Sequence, residues 1–136
     1  MVAARIGPGL SGELSWEITE ERTARHIGSG SLRVFATPAM VLLIERACVQ
    51  LLQPLLPEGQ STVGVGIQLR HLAPTPLGMT VRARVEVTAV EDGRISLRAE
   101  VWDERERVGE AEHQRAIVDV ERFLRRVQAK AEAGSN

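Results

Sequence analysis

Three side chains stand where a polar group needs a reason. Glu45 lies in a run from Ala39 to about Leu52 whose only polar members are Glu45, Arg46 and Gln50. At helical spacing its neighbours three and four positions away are Val41, Leu42, Cys48 and Val49. A carboxylate on such a face loses hydration, so it is paired, protonated or used, and desolvation would raise its pKa towards the range of a general base. A glutamate bonding a strand or a partner chain meets the same condition. Thr37 precedes Pro38 at the head of the run, the pattern of an N-cap followed by proline at the first helical position. The same place offers free backbone N–H groups and the positive end of a helix dipole, where the oxyanion of an attacked carbonyl would be stabilised. His71 closes a strand-like run and is followed by Pro74-Thr75-Pro76, a rigid turn that would hold the ring at a sheet boundary. It suits proton transfer, and equally a hydrogen-bonded structural role.

Two further positions draw attention. Arg115, in a strand beside Ala116, Ile117 and Val118, needs a carboxylate or phosphate partner. Gly64 and Gly66 interrupt a β-branched strand, where either a bulge or the close approach of backbone or ligand is expected. Cys48 reads as core packing, and neither His26, beside a glycine-rich loop, nor His113, in a strand expected at a sheet edge, has a partner that spacing can name.

The elements that position these groups follow from periodicity. Leu14, Trp16 and Ile18 alternate with polar residues as a first half-buried strand, and Leu32, Val34 and Phe35 form a short strand or extended lead-in. The apolar helix begins at Thr37-Pro38 and ends by Pro54, Pro57 and Gly59. Val63, Val65, Ile67 and Leu69 then alternate, followed by Met79 to Val87, by Ile95 to Val101 and by a strand from Val108 to Val118, with Glu91-Asp92-Gly93 as a hairpin turn. Val120, Phe123, Leu124 and Val127 return to helical spacing. A helix apolar on most sides must be wrapped, and four strands follow it as an antiparallel meander. The fold class is therefore α+β, with an antiparallel sheet curled around one long central helix in the hot-dog manner. A loose arm at 1–9, one domain at 10–128 and a polar tail at 129–136 complete the organisation.

Totals narrow the chemistry. With 136 residues there is room for one domain, and a formal charge of -1 with both signs interleaved gives no field for nucleic acid or a membrane surface. The longest apolar stretch, Ala39 to Ile44, is far short of the ~20 residues of a membrane span, and no signal-peptide core precedes it. One cysteine excludes an internal disulfide and a cysteine-based zinc site, and points to a reducing cytoplasm. The sole lysine, Lys130, sits in the polar tail, which removes P-loop and Schiff-base chemistry.

The run Phe35-Ala36-Thr37-Pro38-Ala39-Met40-Val41 through Glu45-Arg46-Ala47-Cys48-Val49, the stretch Arg70 to Pro76, and Glu112-His113-Gln114-Arg115-Ala116 resemble the fluoroacetyl-CoA-specific thioesterases of the hot-dog superfamily in order and spacing. The resemblance implies hydrolysis of an acyl-CoA thioester with a short-chain or otherwise small acyl group, without a metal or redox cofactor, CoA being part of the substrate. It also implies a catalytic group of Thr37, Glu45 and His71, with Gly64 and Arg115 binding substrate. The lid before the helix in that family bears a phenylalanine, whereas His26 to Ser31 here contains no aromatic residue, so specificity for fluoroacetate is not implied. A hot-dog hydratase or dehydratase, or a non-catalytic acyl-CoA-binding protein, are the alternatives on the same fold.

Assembly is part of the expectation. A sheet curled round one helix leaves a strand edge that a two-fold partner would extend, which favours a homodimer or a higher oligomer. Eight helical residues rise about 12 Å, so Thr37 and Glu45 of one chain need an intermediary or a second chain to act together.

Overall fold

A computed structural model describes residues 6–133. Five antiparallel strands form one sheet against one face of a long helix. The elements are β1 (Ser11–Glu17), α1 (Ala24–Ile27), α2 (Thr37–Leu52), β2 (Gln60–His71), β3 (Thr80–Glu91), β4 (Arg94–Trp102), β5 (Arg107–Asp119) and α3 (Val120–Ala133). Single 3-10 turns stand before α1 and after α2.

The sheet order is β1-β3-β4-β5-β2. Only β3, β4 and β5 form a meander. The expected meander of four strands is corrected in one respect: β2 pairs with β5 at the far edge, and residues 72–79 carry the chain across to β3, which pairs with β1. The hairpin between β3 and β4 has the two-residue loop Asp92-Gly93, both at positive φ (50° and 79°). That geometry matches the right-handed twist of the flanking strands, and Gly93 adopts it without a Cβ penalty.

The core lies between sheet and helix. Val81, Ala83, Val85 and Val87 of β3 and Ile95, Leu97, Ala99 and Val101 of β4 turn inward, as their alternation requires, onto Met40, Leu43, Ile44, Cys48 and Leu52 of α2. Each large side chain so enclosed contributes roughly 1.5–3 kcal/mol relative to exposure. Phe35 and Ile18 close one end of this core.

The helix is wrapped on one side only. Leu42 and Val49 remain 44% and 39% exposed, and Glu45, Arg46 and Gln50 share their face. By length and hydropathy Thr37–Leu55 would suffice to cross a membrane, but its other face is the floor of the core.

Strand β2 carries a bulge. Gly64 pairs with Arg115 and Gly66 with Gln114, so Val65 is an extra residue with no partner and is 46% exposed. The unbroken alternation expected through Val63, Val65, Ile67 and Leu69 is thus interrupted at Val65.

Of the arm expected at 1–9, residues 1–5 lie outside the described residues. Gly9 is already tied to the sheet, its N–H donating to the Val87 carbonyl at 2.9 Å. Helix α3 continues to Ala133, past the expected domain end at 128, and residues 134–136 of the expected tail lie outside the described residues.

Candidate active site

Thr37 and His71 meet. The helix begins one residue earlier than an N-cap reading of Thr37 requires: Ala36 is the extended cap residue, its carbonyl accepts the first helical bond from Met40, and no side chain caps the end. Thr37 is the first helical residue and Pro38 the second. The threonine hydroxyl is engaged elsewhere, 2.8 Å from Nδ1 of His71 at the last position of β2. The 72–79 connection is anchored on both sides of the pair, by Phe35 N–H to the Thr75 carbonyl and by Leu72 N–H to the Val108 carbonyl. Phe35 also packs edge-on to the His71 ring at 6.0 Å between centroids.

The imidazole of His71 is half-buried, and burial lowers its pKa, an effect the nearby Ala73 backbone only partly offsets. Neutral imidazole has one bare nitrogen and one N–H. With Nδ1 facing the Thr37 hydroxyl, Nε2 is buried and, among the described residues, meets no partner at hydrogen-bond geometry. The cleft beside it is lined by Ala24, Ser29, Val34, Leu72, Ala73 and Pro74, together with the pair itself.

Glu45 is not in this cluster. It sits two turns along α2 on the half-open face, and its carboxylate Oε2 lies 3.7 Å from Nη1 of Arg115. Of the four apolar neighbours expected to bury it, only Cys48 is enclosed. The carboxyl side chain is 39% exposed, so the deep desolvation expected of Glu45 does not occur within one chain. Arg115 is 5% exposed and supplies the missing depth. Its Nε donates to the Thr62 hydroxyl at 2.9 Å, its Nη2 to the Thr62 carbonyl at 3.2 Å, and its Nη1 faces His113 Nε2 at 3.2 Å.

Gly64 completes the arrangement. A Cβ there would fall 2.7 Å from Glu45 Oε2, closer than carbon and oxygen tolerate, so the missing side chain is what lets the carboxylate rest against the strand. Gly66 gives its carbonyl to His113 Nδ1 at 2.8 Å. Cys48, buried beneath, has its thiol pushed up to about 12 by burial, as befits core packing.

The five expected site residues therefore fall into two groups, Thr37 with His71 and Glu45 with Gly64 and Arg115. His113 and Thr62 were not singled out from sequence. His113 was expected in an edge strand; β5 is interior, flanked by β4 and β2, and the ring is 1% exposed. The signal was present in alternation: Ala111, His113, Arg115 and Ile117 share one face of β5, so the histidine belongs with the buried arginine.

The chain is similar to proteins of known family along most of its length. Residues 18–121 match the family of fluoroacetyl-CoA-specific thioesterases. A fluoroacetyl-CoA thioesterase from Streptantibioticus cattleyicolor is 36% identical over 123 residues, spanning 86% of this chain and 88% of that protein. A solved structure of a fluoroacetyl-CoA thioesterase superposes with a TM-score of 0.86 at 32% identity, over 93% of this chain and 98% of the other. A threonine-to-serine variant of that enzyme, in complex with acetyl-CoA, gives 0.86 and 32% over 92% and 98%. A thioesterase-superfamily protein from Thermus thermophilus gives 0.84 and 29% over 95% and 98%.

Proposed function

The chain belongs to the fluoroacetyl-CoA-specific thioesterase family and has its hot-dog fold, and on that footing we propose that it hydrolyses a small acyl-CoA thioester to the free acid and CoA, with Thr37, Glu45 and His71 as the catalytic group. The observation that carries the assignment of residues is the Thr37–His71 pair at the head of α2, with the second nitrogen of the ring unpartnered among the described residues.

In this reading the thioester carbonyl docks beside Thr37, where the first N–H groups of α2 are free to receive its developing negative charge. Burial keeps His71 neutral, so the ring can take a proton from the attacking hydroxyl, either that of Thr37 or that of a water held by Glu45. The tetrahedral adduct collapses with loss of the CoA thiolate, which takes up that proton. Where Thr37 is the attacking group, water then cleaves the acyl-threonine by the same route. Arg115 and Gly64 hold the Glu45 end of the site against the substrate. No metal or redox cofactor enters these steps.

A homodimer is part of the proposal. Thr37 and Glu45 are eight residues apart on one helix, a rise of about 12 Å, and β2 is a 12-residue edge strand. Leu42 and Val49 leave apolar surface on the uncovered face of α2, beside Glu45, Arg46 and Gln50. A two-fold partner that extends the β2 edge and packs its α2 antiparallel would cover both and bring Thr37 of one chain towards Glu45 of the other. The single cysteine and the balanced charge suit a cytoplasmic protein that binds neither nucleic acid nor membrane.

The test is thiol release across acyl-CoA esters of increasing chain length, expected to be fastest for the smallest. Absence of thiol release from every ester would overturn the thioesterase reading. Inactive Thr37→Ala and Glu45→Gln proteins, mixed so that subunits exchange, should recover about one working site per heterodimer. If heterodimers form and remain inactive, the site lies within one chain.

A further inference from the structure

His113 has no part in the catalytic group proposed above, yet both of its ring nitrogens are committed. Nδ1 lies 2.8 Å from the Gly66 carbonyl oxygen, which can only accept, so Nδ1 carries the hydrogen. Nε2 lies 3.2 Å from Arg115 Nη1, which can only donate, so Nε2 is bare. Two independent contacts select the same neutral tautomer. Burial favours it as well, since it lowers the pKa of the ring. The charged groups facing the ring are Arg115 from its own strand and Glu45 from α2; β2 presents the Gly66 carbonyl, and β4 places Leu97 opposite.

Arg115 is held on two of its three nitrogens by Thr62, which leaves Nη1 as the edge that meets Glu45. At 3.7 Å the carboxylate is an ion partner and not a hydrogen-bond acceptor, so it does not fix the direction of that edge. The acceptor that does is His113. We propose that His113 is a positioning residue: its bare Nε2 accepts from Arg115 Nη1 and thereby aims the guanidinium at Glu45. It touches no reacting atom. This inference rests on Glu45 being part of the working site, as proposed above.

Two near-isosteric variants separate its bonds. In His113→Gln the side-chain amide reaches the place of Nε2 and its oxygen can accept from Arg115, at the expense of the bond to Gly66. In His113→Asn the amide reaches only the place of Nδ1 and keeps the bond to Gly66, at the expense of Arg115. Each loses one hydrogen bond, so a purely structural role would make them alike. With acetyl-CoA as probe, kcat of His113→Gln is expected within about threefold of the wild type. That of His113→Asn is expected to fall about tenfold or more, the worth of a hydrogen bond to a charged group. Equal rates in the two variants, both folded by circular dichroism, would overturn the proposal.

A second measurement needs neither turnover nor a variant. ¹⁵N NMR of the wild type should show His113 protonated at Nδ1 only, and separate Nη signals for Arg115 because rotation of the guanidinium is hindered. A ring protonated at Nε2, or averaged Nη signals, would overturn the proposal whatever the variants do. The expected NMR pattern in a protein that releases no thiol would sink the thioesterase reading and leave the positioning contact supported.

Discussion

Gly64→Ala should separate catalysis from stability at one atom. Gly64 is not among the glycines at positive φ, so alanine can adopt its backbone without strain, and loss of glycine freedom in the unfolded chain favours the fold by about 0.4–1 kcal/mol. The added methyl meets Arg115 Nη1 and His113 Cε1 at 3.4 Å, an ordinary contact, but Glu45 Oε2 at 2.7 Å. Only the carboxylate has to yield, by about 0.7 Å to regain 3.4 Å. It is the end of a flexible, partly exposed side chain, so the retreat costs little folding energy. Catalysis is less forgiving, since a misplacement of about 1 Å can cost on the order of 10²-fold. A fall in kcat of about tenfold or more is expected, with the unfolding midpoint within roughly 4 °C of wild type. Thiol release at saturating acetyl-CoA and differential scanning fluorimetry measure the two quantities on one preparation. An unchanged kcat would show that the carboxylate position beside Gly64 is not the working one. A large drop in unfolding midpoint would refute the argument that Glu45 alone gives way.

Thr37→Ser should keep part of the activity and Thr37→Ala lose most of it; equal kcat in all three forms would leave the Thr37–His71 contact without a catalytic role. Because the hydroxyl faces His71 and caps no backbone N–H, the alanine variant should lose about 0.5–1.5 kcal/mol, the worth of one hydrogen bond, in urea unfolding. Stability should also depend on pH. Burial lowers the folded pKa of both His71 and His113, so the unfolded chain binds protons first as pH falls below about 6.5. The unfolding free energy should therefore decline from pH 6.5 downward, before carboxylates such as Asp103, whose pKa is lowered in the fold, begin to titrate. A flat profile between pH 7 and 5 would show that neither ring is buried as described.

What could be read from sequence follows the physics that sets each feature. Alternation fixed the inward faces of β3 and β4 because those strands are interior and regular, and the Asp92-Gly93 turn because few dipeptides accept two positive φ angles. Glu45, Thr37 and His71 stood out as polar groups at apolar or rigid places. The pairings between them did not, because they depend on which strands are neighbours. Without knowing that β2 lies beside β5, nothing relates Gly64 to Arg115 or Gly66 to His113. The exposed face of α2 was equally hidden, since the apolar residues that meet the sheet and those left uncovered are the same types.

The bulge at Val65 acts on β2 as an inserted letter acts on a reading frame. Before it, the even-numbered residues Thr62 and Gly64 stand opposite Ile117 and Arg115, on the inner face. After it, the odd-numbered residues Ile67, Leu69 and His71 stand opposite His113, Ala111 and Gly109 on that same face. Without the extra residue, strict alternation would turn either the Arg115 cradle or His71 outward. Both halves of the site thus share one strand only because its parity changes between them. Trimming the strand by that one exposed residue would trade one half for the other while leaving almost every side chain in the sequence intact.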